Sequence, residues 1–168
     1  FNILYTILNP QDEVIIPAPY WVSYSAIATM AEAKFIEIPS TIETDFKITP
    51  QQLEAAITPK TKMIFFNSPN NPSGTVYTEQ EYRALAKVLE KYPNIYILSD
   101  EIYEHIHYGA PNFSFAAIES MYDRTITVNG VAKAFAMTGW RLAYLGAPEW
   151  IAKACTKLQG QVTSGTNS

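Results

Sequence analysis

The 168-residue sequence predicts an α/β fold in which helices cover a mostly parallel sheet. Short apolar runs alternate with helical patterns along the chain, as expected when helices connect parallel strands. Several runs, such as Lys62–Phe66 and Tyr96–Leu98, carry apolar residues on both faces, which is typical of strands buried between two helix layers. The alternation contains no repeat or low-complexity tract, so residues 1–168 are predicted to form a single domain.

The strands are predicted from short runs of apolar and β-branched residues. They are Glu13–Pro17, Lys34–Pro39, Lys62–Phe66, Tyr96–Leu98, Thr125–Val128 and Leu142–Leu145. The last two follow each other without an obvious helix between them, so one of them is expected to run antiparallel.

The helices are predicted from apolar periodicity and from start signals. They cover Phe1–Leu8, Val22–Ala33, a segment that opens at Thr49-Pro50, 78–91 and Glu149–Leu158. Thr49 suits the N-cap and Pro50 the first helical position. Thr78 and Glu81 form a capping-box pattern.

Composition narrows the function classes. With 48% hydrophobic and 17% charged residues the chain is expected to be ordered and globular. A net charge of -4 and the lack of a Lys/Arg run argue against nucleic-acid binding. The apolar stretches are shorter than the ~20 residues that span a bilayer, so no membrane insertion is expected. The single cysteine, Cys155, indicates a reducing, cytoplasmic setting.

Polar residues cluster where three predicted strands end. The clusters are Asn67–Thr75, Ser99–Tyr103 and Asn129–Lys133. Because ligands of open α/β sheets bind beyond the carboxyl ends of the strands, we expect the three clusters to form one crevice. Taken singly, the first is also typical of a tight turn and the second of a helix N-cap.

Lys133 has no charged neighbour until Arg141, and the residues between are mostly small and apolar. A lysine held in apolar surroundings has a lowered pKa and can act as a neutral nucleophile toward carbonyl groups. The alternative is a lysine at a strand end that extends its amine into solvent.

Together the clusters closely resemble the fold-type I aminotransferases of the aspartate aminotransferase family. The matching motifs are Pro19-Tyr20-Trp21, Asn70-Asn71-Pro72-Ser73-Gly74, Asp100-Glu101-Ile102-Tyr103 and the segment from Lys133 to Arg141. The resemblance covers essentially the whole chain and implies the large domain that binds pyridoxal 5'-phosphate. It implies a full-length homodimer that transfers an amino group between an L-amino acid and a 2-oxo acid.

The resemblance implies three catalytic residues. Lys133 would form a Schiff base with the cofactor and later move a proton. Asp100 would pair with the pyridine nitrogen and keep the ring protonated. Tyr103 would donate a hydrogen bond to the 3'-oxygen of the cofactor.

The resemblance also implies three binding residues. Trp21 would stack on the pyridine ring. Tyr20 is the alternative if the register differs by one residue. Without the family pattern, Trp21 would be interpreted as a core residue. Asn71 would contact the 3'-oxygen and the substrate carboxylate side. Arg141 would hold the phosphate with its forked guanidinium.

The sequence departs from many relatives beside the lysine. Gly130 and Ala132 stand where those relatives carry serines, so a hydroxyl contact to the phosphate is in doubt, although Gly130 permits close backbone approach. Gly74 and Gly139 are expected to serve backbone geometry. His105, His107 and Cys155 are the remaining candidates for functional residues. The two histidines supply too few ligands for a metal ion, so metal binding is not expected. Cys155 is expected to be structural.

Several alternatives stay open. Within the same fold, a C-S lyase or an aminocyclopropane carboxylate synthase-like enzyme would use the same cofactor residues. A cofactor-sensing regulatory domain is a third possibility. Both ends of the chain look cut from a longer protein, and the family's N-terminal phosphate-binding segment and C-terminal small domain are expected to lie outside these residues. The fragment alone is therefore expected to be inactive.

Overall fold

The computed structural model describes residues 1–109 and 111–165. Its six-stranded sheet has the order β2-β1-β3-β4-β5-β6, in which β6 alone runs antiparallel to its neighbour. The strands are β1 Glu13–Pro17, β2 Lys34–Ile38, β3 Thr61–Asn67, β4 Tyr96–Asp100, β5 Thr125–Gly130 and β6 Ala143–Gly146. The predicted α/β class, the mostly parallel sheet and the antiparallel final strand are confirmed.

Six α-helices connect and cover these strands within the described residues. They are α1 Asn2–Ile7, α2 Ser23–Met30, α3 Pro50–Ala56, α4 Glu79–Leu89, α5 Glu119–Tyr122 and α6 Glu149–Val162. The predicted caps of α3 and α4 are confirmed: Thr49 accepts from the N–H of Gln52, and Thr78 accepts from the N–H of Glu81. In each case the third helical residue returns a bond to the cap, which satisfies backbone donors that the helix cannot pair.

Each face of the sheet packs against its own group of helices. Along β3 the side chains of Ile64 and Phe66 join the cluster formed with α3 and α4, whereas Met63 and Phe65 join the cluster formed with α1, α2 and α6. This alternation follows from the two-residue period of a strand. It explains why the central strands are apolar on both faces, and it fixes the strand ends as one rigid edge.

Two helices, α2 and α6, differ most from the sequence-based predictions, and the short α5 was not predicted. The predicted helix Val22–Ala33 is shorter, Ser23–Met30, because Glu32 adopts a left-handed backbone (φ 58°) and the chain turns there into β2. The last helix is longer than predicted and continues to Val162.

Candidate active site

The carboxyl ends of β3, β4 and β5 lie side by side. In the parallel ladders Asn67 is opposite Asp100, and Asp100 is opposite Val128. The side-chain amide of Asn67 donates to the backbone oxygen of Asp100 across 3.0 Å. The three polar clusters therefore follow neighbouring strand ends at one edge of the sheet, as predicted, and a crevice between them stays a prediction.

Asp100 ends β4 with its carboxylate held by two donors. The hydroxyl of Tyr24 donates to Oδ2 across 2.6 Å, and the N–H of Ile102 donates to Oδ1 across 3.1 Å. Burial raises the pKa of Asp100, and the two hydrogen bonds act against this rise. The site therefore holds a carboxylate whose charge is only partly compensated by the protein.

Tyr24 is a residue of this site that the sequence analysis missed. It lies in α2, is only 6% exposed, and contacts the ring of Trp21 edge-on with centroids 5.6 Å apart. Burial, followed by the charge of Asp100, raises its pKa far above the ordinary value, so its hydroxyl remains a donor. The spacing of three residues from Trp21 was the available signal, because such residues share one side of a helical turn.

The structure separates the two candidates for ring stacking. Trp21 is 47% exposed, which contradicts its alternative assignment to the core. Tyr20 is half-buried, and its hydroxyl donates to Glu37 of β2 across 3.0 Å. Trp21 is thus in contact with the Tyr24–Asp100 pair, while the hydroxyl of Tyr20 is held at β2.

The loop after β3 is a tight turn braced toward the same edge. The N–H of Asn71 donates to Asn67 Oδ1 across 2.8 Å, and the amide of Asn70 donates to the backbone oxygen of Pro19 across 3.3 Å. Gly74 has φ +75°, a conformation that favours glycine, as expected for it. Asn71 is half-buried, and its side-chain amide has no hydrogen-bond partner within residues 1–109 and 111–165.

Lys133 is exposed rather than enclosed by apolar residues, so that part of the sequence interpretation is wrong. The reason is that residues 131–142 form turns beyond the sheet instead of continuing a strand. Its Nζ lies 5.7 Å from the ring centroid of the half-buried Tyr103, close enough for a cation–π contact. The structure therefore brings together two of the three predicted catalytic residues across the β4 and β5 ends.

Arg141 lies apart from this cluster. It is exposed, has a left-handed backbone (φ 50°), and its Nη1 donates to the backbone oxygen of Thr138 across 3.1 Å. It borders a groove formed with residues of α1, β6 and α6, including Tyr144 and Gln159. Among the described residues it forms no hydrogen bond or ion pair with the other five predicted site residues, so a phosphate contact stays a prediction.

Gly130 permits a close approach to its backbone, as expected, but the group that approaches it belongs to the protein itself. A Cβ at this position would lie 2.8 Å from the backbone oxygen of Leu142 and 3.1 Å from Cα of Ala143. The antiparallel pairing of β5 with β6 brings these atoms together. Gly139 has no left-handed backbone, so its conformation gives no reason for glycine there.

The minor candidates have ordinary surroundings. His105 lies 3.4 Å from Glu104, and His107 contacts the backbone oxygen of Gly109 across 3.3 Å. Cys155 is 4% exposed, with Sγ 3.6 Å from the hydroxyl of Thr6. Across the described ranges, no group of three or more His, Cys, Asp or Glu side chains could hold a metal ion. In the same ranges no helix has the length and apolar character needed to cross a membrane.

The chain as a whole has counterparts among known proteins. The family model described as aminotransferase class I and II matches residues 2–168. The chain belongs to this family. Its fold is that of the fold-type I aminotransferases, and membership implies pyridoxal 5'-phosphate as the cofactor.

Individual relatives agree with this assignment. The chain is 51% identical over 170 residues to an aspartate/prephenate aminotransferase of Nitrosomonas europaea, covering 100% of this chain and 43% of that protein. The aspartate aminotransferase structure from Rhizobium meliloti superposes with a TM-score of 0.94 at 46% identity, covering 97% of this chain and 41% of that one. An aromatic aminotransferase from Pyrococcus horikoshii gives 0.93 at 38% identity, with coverages of 97% and 44%. The chain thus spans less than half the length of these relatives.

Proposed function

We propose that the full-length protein is a pyridoxal phosphate-dependent aminotransferase that moves an amino group between an L-amino acid and a 2-oxo acid. The observation that carries this proposal is the half-buried carboxylate of Asp100, which is held by Tyr24 at the same sheet edge as the Tyr103–Lys133 pair. Residues 1–168 are proposed to form much of the large domain. Without the remaining segments, this chain is expected to have little or no activity.

The donor set fits the cofactor. Asp100 presents a carboxylate that lacks a cationic partner in the described residues, and a protonated pyridine nitrogen would supply one. When bound, pyridoxal phosphate supplies an electron sink for carbanion chemistry at the substrate. Asp100 would hold the ring nitrogen in its protonated form, and Tyr24 would keep the carboxylate correctly oriented through its 2.6 Å bond.

The remaining residues divide between bond formation and orientation. Lys133 would bind the cofactor covalently and, once released by substrate, would move a proton. Its exposed amine is accessible for both tasks. Tyr103 would donate its hydroxyl to the 3'-oxygen, and Asn71 would offer its unpaired amide to the same atom and to the substrate carboxylate side.

Trp21 and Arg141 would act at opposite ends of the cofactor. The exposed face of Trp21 would stack on the ring, with its position set by the edge-on contact to Tyr24. Arg141 would provide the forked donors for the phosphate, because only one of its side-chain nitrogens is bound within its own turn. Gly130 and Ala132 supply no hydroxyl, so the phosphate would rely more on Arg141.

The relatives' names support an acidic or aromatic amino-acid substrate. They include aspartate/prephenate, aspartate and aromatic aminotransferases. We further propose that the full-length protein is a cytoplasmic homodimer. The cytoplasmic assignment is supported by the single, unpaired cysteine.

The test uses the full-length protein with added pyridoxal phosphate. After removal of unbound cofactor, the wild-type protein is expected to keep absorbance at the visible edge and to carry covalently attached cofactor after borohydride reduction, whereas Lys133→Ala should do neither. Lys87→Ala, an exposed lysine of α4, is the matched control and should behave as wild type. Equal absorbance in the wild type and Lys133→Ala would remove Lys133 from the site.

A second measurement separates transamination from the lyase alternative. Amino donors are offered together with 2-oxoglutarate, and the products are separated. A new amino acid with stoichiometric loss of 2-oxoglutarate supports the proposal. Release of pyruvate and ammonia without consumption of 2-oxoglutarate would instead identify a lyase.

A further inference from the structure

The side chain of Asn129 binds Glu104, the residue that follows Tyr103. Its Nδ2 donates to Glu104 Oε1 across 2.6 Å, and its Oδ1 accepts from the N–H of Gly130 across 2.7 Å. Asn129 is only 6% exposed. Hydrogen bonds to an ionised acceptor are shorter and stronger than those between neutral groups. Because both ends of the amide are engaged, the Asn129 side chain has a single orientation.

This contact links the two chain segments that carry the candidate catalytic residues. At the strand ends the N–H of Glu101 donates to the backbone oxygen of Val128 across 2.9 Å. Further along, the Glu104–Asn129 bond links the same two segments again. Tyr103 directly precedes Glu104, and Lys133 follows Asn129 by four residues.

We propose that Glu104 and Asn129 are positioning residues that fix the separation of Tyr103 from Lys133. The inference rests on the proposed function, in which Tyr103 and Lys133 contact the same cofactor. The backbone hydrogen bonds of residues 131–136 join them to one another and to Leu142, so these bonds do not tie the segment to Tyr103. A displacement of about 1 Å at a reacting group can cost on the order of 100-fold in rate.

The loop after Glu104 supplies a matched control. His105 is unsuitable, because its ring contacts that of Phe135 in the Lys133 segment with centroids 6.0 Å apart. His107 is exposed, and its Nδ1 contacts the backbone oxygen of Gly109 across 3.3 Å. Removing the His107 ring should therefore leave the Glu104–Asn129 bond and the separation of the two segments unchanged.

The experiment compares full-length holoenzyme variants. Glu104→Ala removes the acceptor. Asn129→Ala removes the donor and adds no charge beside Glu104. Glu104→Gln keeps a neutral acceptor, and His107→Asn is the control. Measured are kcat, KM, the dissociation constant for pyridoxal phosphate and the pH midpoint of the cofactor absorbance.

Glu104→Ala and Asn129→Ala are expected to lower kcat about 10-fold with KM within about twofold, because orientation and not substrate binding is lost. Both should shift the pH midpoint, while Glu104→Gln should recover most of the loss and His107→Asn should match the wild type. The double variant should lose no more than Asn129→Ala alone, since both changes remove the same bond.

A lower melting temperature with an unchanged pH midpoint and unchanged kcat would overturn the proposal, because it would reduce the contact to a structural brace. Additive losses in the double variant would also contradict it. Failure of the proposed function looks different, since the wild-type protein would then show no Lys133-dependent absorbance at all.

Discussion

The hydroxyl of Tyr24 donates to Oδ2 of Asp100 across 2.6 Å and so joins α2 to the end of β4. The bond spans 76 positions of sequence and is largely shielded from water. A carboxylate with two fixed donors has little freedom to rotate. Asp100 is therefore oriented by the protein before any ligand is considered, which is the condition under which electrostatic contacts are most effective.

Tyr24→Phe is expected to weaken the orientation of the Asp100 carboxylate without leaving a cavity in the core. The substitution removes one hydrogen bond to a half-buried carboxylate, and bonds to charged groups contribute about 1.5–3 kcal/mol to the free energy of unfolding. Because the Tyr24 bond lowers the pKa of Asp100, the pKa should rise further in the variant. Urea unfolding of the apoprotein and pyridoxal phosphate titration measure the two effects. Wild-type values in both measurements would show that the bond contributes neither to stability nor to cofactor binding.

Asp100→Asn is expected to change the pH dependence of stability. The folded-state pKa of Asp100 is raised above the ordinary 3.8, so the unfolded chain loses this proton first. The contribution of Asp100 to the stability of the wild type is therefore fully present below pH 3.8, and it is lost as the pH rises through the folded-state pKa. Above that pKa the apoprotein variant should melt at a higher temperature than wild type, although its affinity for the cofactor should fall.

The melting curve of the wild type has to be compared with that of Asp100→Asn, because Glu101 changes the pH dependence of stability in the same direction as Asp100. Burial raises the pKa of Glu101, against the hydroxyls of Ser114 and Ser99 that donate to it. Glu101 is present in both proteins, so the difference between the two melting curves reports Asp100. A difference that does not change between acidic and neutral pH would contradict the assignment.

Gly130→Ala is expected to destabilise the protein by about 1–3 kcal/mol, the usual range for an inserted group that the surroundings cannot accommodate. The new Cβ would lie 2.8 Å from the backbone oxygen of Leu142. Gly146→Ala on β6 is the control, since a Cβ there meets no atom within 4 Å. Chemical denaturation of both variants gives the comparison, and equal stability would mean that β6 shifts without cost.

Tyr82→Phe is expected to stabilise the protein by about 1 kcal/mol, because a buried hydroxyl without a partner carries a desolvation cost. Tyr82 is 1% exposed, and within the described ranges its hydroxyl has no hydrogen bond of good geometry, although the neighbouring Ser68 hydroxyl lowers its pKa against the larger rise caused by burial. Its ring packs against Phe66, Tyr77 and Phe115, and phenylalanine keeps these contacts. Tyr77→Phe serves as the opposite case, since the hydroxyl of Tyr77 accepts from the N–H of Ile48 and its loss should destabilise.

Much of the fold follows from local sequence signals. The strands were predictable because Val14, Ile64 and Ile97 stand in apolar runs that only a sheet covered on both faces can bury. The starts of α3 and α4 were predictable because Thr49 and Thr78 satisfy backbone donors within four residues. The early end of α2 was not, because the left-handed turn at Glu32 depends on how the chain enters β2.

The site was less predictable where it depends on contacts between distant segments. Asp100 and Lys133 were identified from strand ends and from family motifs. Tyr24 was missed because a tyrosine on the buried side of a helix is usually a core residue. The exposure of Lys133 was misjudged because apolar neighbours in sequence need not surround a side chain in space. Nothing local indicates that Glu104 and Asn129 meet.

The contact between Gly130 and Leu142 also bears on how this site can change over time. A single substitution that places a hydroxyl at position 130 is costly, because its Cβ would lie 2.8 Å from the backbone oxygen of Leu142, just before β6. An ancestor or descendant with serine there is expected to relieve this contact by a shift of β6. Among relatives, the residue at this position and the path of the final strand are therefore expected to vary as a pair.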